Sequence, residues 1–134
     1  MEELFNQGKL AVADECCTRD YVHHGPQGVD SRGPQGLKDS VLSMRTVFPD
    51  LRFIVDEQTT TDDRVALRWT VSGTHSAEWM GVPATGRRIT LRGVSTSSVA
   101  GGKLSETWAN WDVLDALQQL GAAPAMAKGA AAAG

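Results

Sequence analysis

At Asp50 the hydrophobic rhythm of the chain changes, and that change restricts the fold more than any other feature. Before it, apolar residues recur at three- and four-residue steps; after it, they alternate. Leu37, Val41, Met44, Val47 and Phe48 make the stripe of a helix. It opens at Gly33-Pro34, where the absent proline N–H costs nothing, and stops at Pro49. Leu51, Phe53 and Val55 then alternate with Arg52 and Asp56 as a strand. After a turn at the TTTDD stretch, Val65, Leu67, Trp69 and Val71 alternate with Ala66, Arg68, Thr70 and Ser72. A further strand is predicted over about Arg87–Val99, and Gly101-Gly102 turns it into a last strand over about Lys103–Trp111. Asp112 is placed to cap a closing helix whose inner face carries Leu114, Leu117 and Leu120, and Gly121 ends it.

Upstream of this pattern, residues 2–17 read as one helix through Leu4, Phe5, Leu10, Val12, Ala13 and Cys17, interrupted at Gly8. The stretch YVHHGPQGVD, residues 21–30, reads as loop. Helices followed by a run of antiparallel strands define an α+β domain. A curved antiparallel sheet with helices across its concave face makes a cone open at one end, which is a natural small-molecule pocket. The domain is expected over residues 1–121. Residues 122–134 are an Ala/Gly-rich tail with almost nothing bulky to bury.

Charge narrows the function. With 13 Lys and Arg against 16 Asp and Glu, the chain of 134 residues carries a net charge of -3 and lacks the basic footprint of a nucleic-acid binder. No apolar run approaches the roughly 20 residues of a membrane helix, so no membrane association is expected. The opening MEELFNQGKL lacks the apolar core of a signal peptide. Cys16 and Cys17 are neighbours and form no disulfide framework. Read as reduced thiols in a helix, they fit a cytoplasmic protein.

Three segments carry a family resemblance: FPDLRF (48–53), GTHSAEWMGVPATGRRI (73–89) and GGKLSETWANWDVLDALQQLG (101–121). Through them the chain resembles the SnoaL-like polyketide cyclases, also known as ester cyclases, of the NTF2-like superfamily. The resemblance implies a cone-shaped α+β fold and ring closure on a polyketide ester by an intramolecular aldol step, with no metal or organic cofactor. It further implies an Asp base in the last strand and a His on the neighbouring strand. Aligned on Gly102-Lys103, those positions fall at Ala109 and Ser95, so the usual acid–base pair is missing.

Strand parity selects the side chains expected inside the cone. They are Trp69, Leu91, Ser95 and Ser97, with Thr107, Ala109 and Trp111 from the last strand. His23, in the loop at the mouth, joins them as a ligand-binding candidate. Together they suit a small apolar or polycyclic ligand. His75 is an inward titratable candidate, either a catalytic base or a structural residue tying the Gly-Thr-His bend to the next arm. Asp112 completes the family-like Glu106-x-Trp108 motif; it is either a base reached through a bulge or a helix cap. The spacing of His23, His24 and His75 does not support a metal site. Trp108 among charges on the outer face suggests a homodimer. Three functions stay open: a cofactor-free cyclase, a relative with other chemistry such as hydroxylation or epoxide opening, and a binding domain. Epoxide opening is the weaker variant, since Arg68-Trp69-Thr70 lacks the Asp of an Asp-Arg-Asp arrangement.

Overall fold

A computed structural model describes residues 2–28 and 30–122. Helices α1 (Glu2–Gln7) and α2 (Ala11–Cys16) lead into strand β1 (Cys17–His24). A 3-10 turn (Pro26–Gly28), strand β2 (Asp30–Arg32) and the long helix α3 (Gly33–Val47) follow. Then come β3 (Arg52–Thr60), β4 (Arg64–Thr74), β5 (Arg88–Ala100), β6 (Lys103–Trp111) and helix α4 (Val113–Gln119). The six strands form one sheet in the order β2-β1-β6-β5-β4-β3. α3 lies against β1, α1 against β3 and α4 against β5. This is the expected α+β arrangement.

The expected single helix over 2–17 is two helices. Gly8 adopts φ +65, and its backbone N–H donates to the Leu4 carbonyl. Arg45 of α3 reaches across with Nη1, donating to the carbonyls of Phe5 at 2.7 Å and Asn6 at 2.8 Å. The open end of α1 is thus satisfied by a side chain rather than by more helix.

The larger correction concerns residues 17–24, which form a strand instead of a helix end and a loop. β1 runs parallel to β6, pairing His23 with Thr107 and His24 with Trp108, so the sheet is mixed rather than wholly antiparallel. β2 folds back on β1 antiparallel and takes the outer edge.

The later strands match their expected parity. Ile89, Leu91, Gly93, Ser95 and Ser97 are buried on β5, while Arg88, Arg92, Val94 and Thr96 are exposed. On β6, Thr107 and Ala109 are buried and Trp108 and Asn110 exposed. The one register shift between β5 and β6 lies at Ser98/Val99, beside the hairpin, so no bulge brings Trp108 inside. β3 continues to Thr60 and shortens the predicted turn to residues 61–63. Ala116 on α4 and Leu120 just after it are buried, whereas Leu114 is 51% exposed and does not belong to the inner face. Residues 123–134 of the expected tail lie outside the described residues.

Candidate functional site

The concave face of the sheet holds three compartments in sequence. A mouth of about 630 Å³ is bordered by His23, Arg32, Asp39, Met44, Met80 and Trp111. Behind it sits an inner chamber of about 160 Å³, which shares His23, Ser40, Met44 and Trp111 with the mouth. A far compartment of about 380 Å³ shares Leu67, Ser95 and Thr107 with the chamber and is further lined by Val55, Gln58, Val65, Ser97 and Leu104.

Aromatic stacking fixes the chamber walls. Phe5, Phe53 and Trp69 form a ladder with ring centroids 5.0 and 5.9 Å apart. On the opposite side Trp111 stacks on Trp79 at 5.5 Å, and Trp79 meets Phe48 edge-on at 5.3 Å. Gly93 lets the Trp69 indole lie against the backbone of β5: a Cβ there would stand 2.3 Å from Trp69 Cζ2. Small residues on β5 and β6 leave the space that Trp69 and Trp111 enclose.

Most of the ligand-binding candidates meet here. Trp69, Leu91, Ser95, Thr107, Ala109 and Trp111 line the chamber, as does His23 from β1. Ser97 stands further in, its hydroxyl 2.7 Å from that of Thr107. Ser95 and Ala109, the positions the family resemblance singles out, are direct cross-strand partners on the chamber wall.

His23 is the titratable side chain among the described lining residues of the chamber. Burial pushes its imidazole below the ordinary 6.5, and the neighbouring His24 adds to the effect. Two residues earlier, buried Tyr21 has a hydroxyl without a hydrogen-bond partner among the described residues. Burial raises its pKa to about 12. Local sequence offered His23 as a ligand-binding candidate in a loop at the mouth; the alternation that turns Tyr21 and His23 inward and His24 outward is visible only once β1 is known to be a strand.

The two candidate catalytic residues stand elsewhere. His75 is fully buried just beyond the end of β4, and its Nδ1 accepts the Thr85 backbone N–H at 3.2 Å and lies 2.9 Å from the Thr85 hydroxyl. With backbone bonds between His75 and both Gly86 and Arg87, it ties down the 75–87 loop. Asp112 accepts the Asp115 backbone N–H at 2.9 Å and caps α4. Neither side chain lines the three compartments.

His24 points to the outer face. Its Nε2 is 2.6 Å from a Glu106 carboxylate oxygen and its Nδ1 3.1 Å from one of Asp30, so its pKa is raised, most by Glu106. Its ring stacks on Trp108 at 5.6 Å. The three histidines therefore point in three directions. The thiols are both free, with Cys16 ending α2 and Cys17 opening β1. Burial pushes Cys17 up to about 11, which leaves it protonated and unreactive at neutral pH. Among the described residues no helix is long and apolar enough to cross a membrane.

Comparison with known proteins fits this geometry. A family model for SnoaL-like polyketide cyclase matches residues 1–120. No curated protein matches the chain. Among solved structures, TsrD from Streptomyces laurentii is 26% identical with a TM-score of 0.83, over 90% of this chain and 89% of that one. IdmH from Streptomyces antibioticus, assigned as a polyketide cyclase, is 34% identical with a TM-score of 0.77, over 90% of this chain and 92% of that one. AclR from Streptomyces galilaeus, assigned as a hydroxylase, is 30% identical with a TM-score of 0.76, over 90% of this chain and 79% of that one.

Proposed function

The chain belongs to the SnoaL-like polyketide cyclase family, and on that footing we propose that it takes a polyketide-derived small molecule into its cone and moves a proton on it without a cofactor, closing a ring or carrying out a related step. The observation that carries this reading is His23, the titratable side chain among the described lining residues of a chamber that also holds the Ser95 and Thr107 hydroxyls. An imidazole with a lowered pKa is neutral at pH 7 and has a lone pair to accept a proton.

The step follows from these groups. His23 removes an acidic proton from a carbon between two carbonyls. The Ser95 and Thr107 hydroxyls donate hydrogen bonds to the enolate oxygen. The enolate carbon attacks a second carbonyl of the same molecule, and the imidazolium returns its proton to the new alkoxide. His23 thus replaces the carboxylate that the family resemblance expects at Ala109.

Protein-catalysed exchange of the α-protons of ethyl benzoylacetate, followed by NMR in heavy water, tests this directly. His23→Gln is expected to slow exchange by about 10²-fold or more. The rate is expected to rise with pH through one ionisation below 6.5. Undiminished exchange in His23→Gln overturns the role. A second reading, ligand binding without turnover, is favoured by the methyl group of Ala109 where a base would stand; binding without any exchange would select it.

The outer face supports a homodimer as a further part of the proposal. Trp108 and Val94 there are 40% and 54% exposed, and Arg64 lies over the Trp108 ring at 5.9 Å. An exposed Trp beside Arg is a typical interface anchor. Sedimentation showing monomer alone at micromolar concentration would count against it.

A further inference from the structure

We infer that the ligand is an extended, unfused chain bearing oxygens along its length, and that it threads from the mouth through the chamber into the far compartment. The inference rests on the reading of the cone as a small-molecule site, and it specifies what that site accepts.

Size supplies the first argument. The chamber holds about 160 Å³. A cavity of about 150 Å³ accommodates a benzene ring, whereas drug-sized ligands occupy pockets of about 300–1,000 Å³. One ring or a short run of chain fits between Trp69 and Trp111; a fused tricycle or tetracycle does not. The walls resist widening, because Trp69 is wedged between Phe53 and the Gly93 backbone and Trp111 is stacked on Trp79.

Continuity supplies the second. The chamber has compartments on both sides, each larger than itself, and it shares wall residues with both. The shared residues Leu67, Ser95 and Thr107 all project from the same concave face, and on β3 the register shift between Val55 and Glu57 turns Gln58 to that face too. A ligand filling the mouth and the chamber alone would leave about 380 Å³ beyond them to water. A narrow middle between two wider ends suits a chain.

Chemistry supplies the third. The far compartment mixes Val55, Val65, Leu67 and Leu104 with Gln58 and the bonded hydroxyls of Ser97 and Thr107. The two hydroxyls share one hydrogen bond between them, so one hydroxyl proton is left over, and a bare hydrocarbon tail would cover it without a partner. A carbonyl or hydroxyl oxygen on the tail would accept it. The same passage brings the middle of the chain past His23.

The test is a homologous series of ethyl 3-oxoalkanoates with 4 to 14 acyl carbons, measured by quenching of tryptophan fluorescence beside a fused anthraquinone and ethyl benzoylacetate. Affinity is expected to rise by up to about fourfold per methylene, then level off when the far compartment is full. A homologue ending in a hydroxyl should bind no more weakly than its hydrocarbon counterpart, and the anthraquinone should bind at least tenfold more weakly than the longest ester. Leu104→Trp and Val65→Trp each fill the far compartment from a different strand. Either should bring the long esters down to the affinity of the short ones and leave ethyl benzoylacetate unchanged. Anthraquinone binding as tight as the long esters overturns the inference. So does a long-ester affinity untouched by a folded Leu104→Trp or Val65→Trp protein, or a tenfold loss on adding the terminal hydroxyl. If ethyl benzoylacetate binds and exchanges while chain length has no effect, this inference fails alone. If no probe binds, the small-molecule reading falls and takes the inference with it.

Discussion

Gly93→Ala adds one methyl group to the wall of the chamber, and the structure says where it goes. The new Cβ would stand 2.3 Å from Cζ2 and 2.5 Å from Cη2 of Trp69, and 2.8 Å from the Asn110 carbonyl oxygen. Ordinary carbon contacts are about 3.5–4.0 Å, so the indole must retreat by about 1 Å. Retreat is blocked behind it by Phe53, stacked at 5.9 Å. The Asn110 oxygen belongs to β6, whose pairing with β5 runs through Val94 and Asn110, so it moves only if the ladder moves. Overpacking of this kind costs about 1–3 kcal/mol, and two obstructed neighbours place Gly93→Ala at about 2–3. For a domain of this length that is a fall in Tm of roughly 6–15 °C. Thermal unfolding followed by circular dichroism reads it. Combining Gly93→Ala with Trp69→Leu should cost less than the sum of the two by at least about 1 kcal/mol, because the clash is shared. A change in Tm within about 2 °C, or strictly additive costs, would refute the account of Gly93 as the seat of the indole.

Three further outcomes follow from other contacts. Asn6 binds the edge strand β3 like a backbone, donating to the Phe53 carbonyl at 2.8 Å and accepting its N–H at 2.6 Å, so Asn6→Ala should cost about 1–3 kcal/mol in urea unfolding. The Asp50 carboxyl is held below 3.8, first by the Thr74 backbone N–H and then by its hydroxyl. Its contribution is therefore present above pH 3.8 and lost as the pH falls through the lower folded value, and Asp50→Asn should flatten the acid limb of the stability profile. His24 is raised above 6.5, so its tie to Glu106 and Asp30 is complete below pH 6.5 and lost as the pH rises through the folded value. NMR titration should find His24 above and His23 below 6.5, and Glu106→Gln should draw His24 back towards it.

How far the sequence could be read depended on how local each signal was. α3 carries its own stripe and its own Pro34, and β4 to β6 are joined by short connections with alternating patterns, so their inward faces were legible to the residue. Ser95, Thr107 and Ala109 were accordingly placed in the cavity. β1 offers no such pattern: Thr18, Arg19 and Asp20 precede Tyr21, and its partner is supplied by the far end of the chain. His23 could be put at the mouth from its glycine-flanked setting, but its place in the chamber depends on pairing with Thr107. His75 illustrates the opposite failure. Parity points it inward, but β4 ends at Thr74 and the chain turns, which hands its imidazole to Thr85 instead of the cavity. Leu114 was misassigned because a seven-residue helix makes barely two turns, too few to fix which apolar residues face inward.

The parallel pairing of β1 with β6 sets a timetable for the ribosome. His24 and Glu106, 82 positions apart, come together across that seam. At about 5–20 residues per second, β1 waits roughly 4–16 seconds for the strand that will hold it, with one edge unsheathed throughout. During that interval the chain has β3 and β4 to pair with each other but no chamber, because His23 has no Thr107 opposite. A ligand therefore cannot stabilise the nascent protein through this chamber. A cone-filling compound can raise the yield of finished chains that have slipped open, but it has nothing to grip on those still being made.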